Sequence, residues 1–319
     1  MRYAISFFLL LLTASLPGFA SVDDGLLALV PTGSKLVASV DVNQAKNSPF
    51  GQYMLSKINA DDQSFQDMVQ QTGFNPRRDV QDFVFASSGG NSANMQGNFA
   101  LIVRGNFDQS RIRAAAEAKG SQIQNYQGVD LFVGGPNNRG NAFAFLSAGV
   151  AVLGDRDTVQ QIVANRGTPT VLDGRLQRLI GMVGPNNDAW FASIMAGSYL
   201  ADHLKQETNQ PVAGQALDSI QQSSGAIQFG DVVRLSFDAV ARSPKDAQSL
   251  TDVIRFMGSM AQMSRGKGPG TDVLASAVDQ MTLQADGDAV HVTISVPEKS
   301  LEQLADMAPN GGMHRHAVR

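Results

Sequence analysis

The sequence has no cysteine, one tryptophan and four histidines, and only 17% of its 319 residues are charged. The absence of cysteine excludes disulfides, thiol nucleophiles and cysteine-based metal sites. The charged fraction is below the ~25% of an average globular domain. With a formal charge of −4, the chain has no basic stripe of the kind that nucleic-acid binders carry. We therefore expect no nucleic-acid partner and a fold stabilised by its apolar core.

The N-terminus has the pattern of a secretory signal. Arg2 precedes the apolar run "AISFFLLLL", and the small residues Gly18 and Ala20 precede the expected cleavage point after Ala20. The run is shorter than the ~20 residues that a membrane helix needs, although an uncleaved N-terminal anchor is the alternative. We predict a signal peptide over residues 1–20, no transmembrane segment after its removal, and export to the periplasm or the medium.

Beyond the signal, apolar residues alternate in some segments and recur at helical spacing in others. "KLVASVDV" and "FALIVRGNF" are typical of strands, and "NSPFGQYMLSKI" and "DQSRIRAAAEAKG" are typical of helices. The order is strand–helix–strand–strand–helix–strand–strand, twice. This predicts an α+β protein with mainly antiparallel sheets and helices packed on one face. We place the halves at residues 21–170 and 171–308, followed by a flexible tail at 309–319.

The two predicted halves share a few letters. "LVASV" (Leu36–Val40) resembles "WFASI" (Trp190–Ile194), and Phe99, Arg104 and Asp108 align with Phe237, Arg242 and Asp246. We interpret this as an internal duplication. The tetrapeptide "GPNN" also occurs twice, at residues 135–138 and 184–187, but at positions that the duplication does not equate. It is better explained as one turn used twice.

No catalytic or metal-binding constellation is evident. His291, in "VHVTISV", is expected on the polar side of a strand with Thr293 and Ser295, and no serine occupies a G-x-S-x-G turn. The glycine-rich "SRGKGPGT" (264–271) joins two helices, where a phosphate loop would follow a strand. We therefore predict no catalytic, metal-binding or cofactor-binding residues and no cofactor, with enzymatic activity left uncertain.

The predicted helix from Asp246 to Ser264 is rich in methionine. Such surfaces adapt to varied apolar partners, so this helix is the candidate contact for an apolar ligand or protein. The alternative is that its apolar stripe covers the sheet. The candidate ligand-binding residues are Leu250, Ile254, Met257, Met260 and Met263.

The first half has three motifs in a fixed order. They are an "L-x-P" opening at Leu29 and Pro31, the helix start "SPFG" at Ser48–Gly51, and the turn "TGFNPRRD" at Thr72–Asp79. In these motifs the chain resembles a group of exported bacterial proteins of the domain-of-unknown-function type. The likeness is strongest over the N-terminal half. It implies export and a fold type, and it implies no activity.

These observations favour an exported, non-catalytic binding or interaction module of the cell envelope, whose partner is an unknown protein or apolar ligand. One alternative is a carrier of lipid or another apolar molecule. The other is a hydrolase whose two carboxylates are distant in sequence and are brought together by folding.

Overall fold

The computed structural model describes residues 24–57, 63–89, 98–134, 140–168, 170–197 and 216–307. The expected signal peptide, the expected tail, the first "GPNN" and three of the four histidines (His203, His314 and His316) lie outside these ranges. No helix in the described part of the chain is long and apolar enough to span a membrane.

Helices and strands alternate irregularly along the described chain. The helices are α1 (Asp24–Leu27), α2 (Val42–Asn47), α3 (Pro49–Lys57), α4 (Gln63–Thr72), α5 (Pro76–Asp79), α6 (Gln109–Ala118), α7 (Arg156–Asn165), α8 (Gly174–Val183), α9 (Pro244–Met263), α10 (Pro269–Asp279) and α11 (Glu298–Met307). The strands are β1 (Leu36–Asp41), β2 (Val80–Gly89), β3 (Asn98–Gly105), β4 (Gln122–Tyr126), β5 (Val129–Val133), β6 (Asn141–Ser147), β7 (Val150–Asp155), β8 (Ala189–Ser193), β9 (Ile220–Gln228), β10 (Val232–Ala241), β11 (Thr282–Asp286) and β12 (Ala289–Pro297).

All twelve strands form one sheet, in the order β11-β12-β10-β9-β8-β1-β2-β3-β7-β6-β5-β4. Every pairing along this order is antiparallel. Because helices alternate with hairpins along the chain and the sheet is antiparallel, the predicted α+β class is confirmed. The sequence predicted mainly antiparallel sheets, and in the structure both halves contribute strands to one continuous antiparallel sheet.

The two resembling segments "LVASV" and "WFASI" are neighbours at the middle of this sheet. β1 and β8 pair antiparallel, with Leu36 opposite Ser193 and Ser39 opposite Trp190. On either side of them the order of strands is the same, except that the first half has an additional hairpin, β4–β5. The interpretation as a duplication, and the boundary at residue 170, stay predictions.

The two helices that the proposed alignment equates begin differently. Asp108 is the N-cap of α6 and accepts a hydrogen bond from the Arg111 amide at 3.1 Å. Asp246, its proposed counterpart, lies inside the first turn of α9, where Ser243 is the N-cap. The alignment of Asp108 with Asp246 is therefore offset by three residues at the helix start.

The main core lies on one face of the sheet, which we call the first face. Inward side chains such as Val84, Ile102 and Trp190 pack there against Val159 of α7 and Leu179 of α8. The second "GPNN" follows α8 directly. Its Asn186 has a φ of 63°, in the left-handed region that asparagine tolerates, so this copy is the turn that the sequence predicted.

The opposite, second face is covered by other helices. Val42 of α2 packs on Phe83, and Leu250 of α9 packs in a cluster with Ala239 and Val292. Strand pairing places Phe83 and Val292 on the same side, because side chains opposite each other in adjacent strands share a face. The helices are thus divided between two faces, whereas the sequence prediction had placed them on one. Alternation within a strand shows that a face is buried, but not which helix covers it.

Candidate functional site: an exposed methionine-rich surface on α9

Helix α9 starts at a well-formed cap. The Ser243 hydroxyl accepts a hydrogen bond from the Asp246 amide at 3.1 Å, and Pro244 occupies the first helical position. Its inner side is buried through Ala247, Leu250 and Thr251. These residues fix the first half of the helix on the sheet, and the apolar cluster that contains Ala247 and Leu250 includes α9 residues up to Ile254.

The second half of α9 packs against α10. Gly258 is buried at this crossing, and a Cβ at that position would lie 3.2 Å from Cγ1 of Val278. A glycine there lets the two helices approach closely. At the end of the helix, Arg265 Nη2 lies 2.5 Å from Oδ2 of Asp279 and ties the inter-helix turn to the end of α10. That turn is the segment "SRGKGPGT", which joins two helices as the sequence predicted.

The same half of α9 exposes four large apolar side chains. Their exposed fractions are 59% for Phe256, 51% for Met257, 43% for Met260 and 78% for Met263. We call these four residues the methionine surface. Exposed apolar residues scattered singly are ordinary, but four within two turns of one helix form a cluster that is typical of a contact site.

The predicted ligand-binding residues divide between core and surface. Leu250 is 2% exposed and belongs to the core, which corrects its assignment as a ligand contact. Ile254 is partly buried against the same core. Met257, Met260 and Met263 lie on the methionine surface. Because successive helical residues turn by ~100°, Met263 is rotated by ~140° from Leu250, so the two cannot share one stripe.

Phe256 was missed by the sequence analysis. It lies one helical turn before Met260 and two turns before Met263, so the three share the outward stripe of the helix. The signal that could have found it is the helical wheel. Phe256 falls on the side opposite to the buried Ala247 and Thr251, where a polar residue is expected.

Charges of both signs border the methionine surface. Arg255 Nη1 lies 3.5 Å from Oδ1 of Asp252 on the N-terminal side, and both side chains are exposed. On the C-terminal side lie the Arg265–Asp279 pair and Lys267, which is exposed. The border therefore has no strong excess of either charge, and it suits a neutral apolar partner better than a strongly charged one.

Two pairs of titratable side chains elsewhere have structural roles. His291 Nδ1 lies 2.5 Å from Asp238 Oδ1 on the exposed polar side of β12 and β10, as the sequence predicted for His291. Asp79 accepts hydrogen bonds from Arg78 and from the Asn75 amide, and the Arg78 hydrogen bond lowers the pKa of Asp79 below its usual value. Among the described residues, no three histidine, aspartate or glutamate side chains are grouped to hold a metal ion.

A shallow pocket lies between α1 and α7, away from the methionine surface. Leu29, Ile162, Asn165 and Thr170 line it, and its cavity volume of about 10 Å³ suits about one water molecule. A lipid would not fit there.

Comparisons with known proteins address the fold only. No protein family matches the chain, and no curated protein matches it. Among solved structures, TP0453, a Treponema protein, is similar in fold. Its crystal form III has a TM-score of 0.52 at 10% identity, covering 90% of this chain and 98% of TP0453. Crystal form IV has a TM-score of 0.50 at 11% identity, covering 90% and 97%.

Proposed function

We propose that this protein is an exported, non-catalytic interaction module of the cell envelope that holds an apolar partner on its methionine surface. The observation behind this proposal is the exposure of Phe256, Met257, Met260 and Met263 on one end of α9. These side chains are not needed to cover the sheet, because Ala247 and Leu250, nearer the start of the helix, already do so.

The chemistry of the four side chains supports binding. Methionine is unbranched and polarizable, and it repacks against partners of different shape more readily than leucine or valine does. Phenylalanine adds a large apolar area with few rotatable bonds. Burying such side chains against a partner stabilises the complex by ~25 cal/mol for each Å² of apolar surface that is removed from water. The surface is thus suited to an apolar contact.

The location in the envelope is supported by the N-terminal sequence. The run "AISFFLLLL" with Gly18 and Ala20 is typical of a cleaved signal. The resemblance of the segment from Leu29 to Asp79 to exported bacterial proteins points the same way. Both arguments come from sequence, so the destination is part of the proposal.

Site-specific photo-crosslinking in cells that express and export this protein tests the proposed function. A photoreactive residue is placed at Met263, and a second variant has the same residue at Ser249, which is exposed on α9 two turns or more from the methionine surface. We expect discrete crosslinked products from position 263 and none from position 249. Absence of any product at 263, or the same products at both positions, would contradict the proposal.

A further inference from the structure

We propose that the partner held by the methionine surface is a second copy of this chain, in an antiparallel pair of α9 helices. This inference rests on the proposed function, since it names the partner of the same surface. The two-fold axis of the pair passes beside Ser259 and Met260. The inference depends on the spacing of the exposed residues along α9 and on the charged residues at the two ends of the methionine surface.

The apolar residues are placed symmetrically about that axis. Phe256 and Met263 lie at equal distances on either side of the point between residues 259 and 260, ~5 Å each at 1.5 Å per residue. In a two-fold contact, residue i of one copy meets residue j of the other, and j meets i. Phe256 of each copy therefore meets Met263 of the other, and Met260 lies beside its own mate.

The resulting contacts are chemically favourable. A methionine sulfur beside a phenylalanine ring is a recognised stabilising pair, and the arrangement makes it twice. The same stripe set parallel would place Phe256 on Phe256 and Met263 on Met263, without the two methionine–phenylalanine pairs.

The flanking charges are self-complementary about the same axis. Asp252, exposed one turn before Phe256, is as far from the axis in sequence as Lys267, exposed in the turn after α9. Asp252 of one copy is thus directed towards the same end of the pair as the turn that carries Lys267 of the other. Arg255 already shares Asp252 at 3.5 Å within the chain, so Lys267 adds a second cation to that carboxylate. An unrelated partner would require no such match between the two ends of the surface.

The size of the surface sets the expected strength. Four side chains on one helix cover less than the ~800 Å² per partner of a standard interface. The pair should therefore be reversible and depend on protein concentration. Sedimentation should show monomer in dilute solution and dimer as the concentration rises.

The lack of cysteine in the chain makes disulfide trapping a clean test. Ser259→Cys places one thiol beside the axis, next to its mate. Ser249→Cys is the matched control, because both serines are exposed on α9. The Ser259 hydroxyl donates a hydrogen bond to the carbonyl four residues earlier at 2.9 Å, and the Ser249 hydroxyl does the same at 3.0 Å. In the proposed pair the two Ser249 positions would be ~30 Å apart.

Under mild oxidation of the purified protein, we expect Ser259→Cys to form a covalent dimer at least about tenfold faster than Ser249→Cys, because the pair raises the effective thiol concentration. Adding Phe256→Glu to Ser259→Cys should remove this advantage. Lys267→Glu should weaken the dimer, and Asp252→Lys combined with Lys267→Glu should restore it. Equal rates for the two cysteine variants would overturn the inference.

The failure of this inference can be told apart from failure of the proposed function. If Ser259→Cys shows no advantage while a photoreactive residue at Met263 captures a different molecule, the partner is not a second copy and the function stands. If position 263 captures nothing in the cell, both fail. A product at position 263 with twice the mass of the chain supports both.

Discussion

Phe256 and Met263 lie two turns apart on the outward stripe of α9, with 59% and 78% of their surfaces exposed. On a helix that only covered a sheet, these positions would be polar. The inner side of the same helix is buried in the ordinary way through Ala247 and Leu250. One helix thus has two apolar sides, and only one of them is used by the fold.

Truncation on the two sides of α9 should change stability by very different amounts. Leu250→Ala removes a side chain that is 2% exposed in the core, and we expect it to lower the free energy of unfolding by about 2–5 kcal/mol. Met263→Ala should change it by no more than about 0.5 kcal/mol. Urea unfolding of dilute protein checks both. A large loss from Met263→Ala would mean that this residue packs in the core after all.

Two glycines form a second matched pair. In β9, a Cβ on Gly225 would lie 2.5 Å from Cε1 of Phe191 and 3.0 Å from the Ser236 carbonyl oxygen. Gly225→Ala should therefore cost about 1–3 kcal/mol of unfolding free energy. Gly181 in α8 has nothing within 4 Å of the added carbon, so Gly181→Ala should gain about 0.5–1 kcal/mol from helix propensity. Thermal melts that shift in the same direction would refute this packing.

Glu298, at the start of α11, should make stability depend on pH. Burial, and then the nearby Glu302 and Asp231, raise its pKa above the usual value, although the Phe50 amide donates to its carboxylate. Its Oε1 has no hydrogen-bond partner within the described residues. The folded state therefore binds this proton more tightly than the unfolded chain does.

It follows that the contribution of Glu298 to stability is complete below the ordinary pKa of glutamate and is lost as pH rises through the raised value. Glu298→Gln cannot lose a proton, so its unfolding free energy should fall less than that of the native chain between about pH 4 and pH 8. Urea unfolding across this range measures the difference. Parallel pH profiles for the two proteins would show that Glu298 is not perturbed.

Local signals predicted the elements whose ends have specific chemistry. Ser48 and Pro49 marked the start of α3, where the Ser48 hydroxyl accepts from the Gly51 amide at 2.7 Å. Gly73, with a φ of 70°, directly follows α4 and has the left-handed conformation that commonly ends a helix. Such signals depend on a few adjacent residues, so a single sequence contains them in full.

Features set by distant contacts were not predictable in the same way. The sequence analysis overlooked β4 and α8, and it could not show that β1 and β8 would join the halves into one sheet. It also took α9 to have one apolar stripe. Met257 is nearly in line with Leu250 on the helix, yet it is 51% exposed, because the core cluster around Leu250 reaches only to Ile254. The point at which the sheet ends beneath a helix is set by tertiary packing, so the local sequence of the helix does not predict it.

The most direct test of a contact at the methionine surface uses two methionines of similar exposure. Met263 is 78% exposed and Met182, at the end of α8, is 74% exposed. Mild peroxide converts accessible methionine to its sulfoxide, which mass spectrometry quantifies at each residue. In dilute purified protein the two should react at similar rates. In the intact envelope, our account predicts that Met263 is protected while Met182 is not. Equal reactivity of the two residues in the envelope would contradict it.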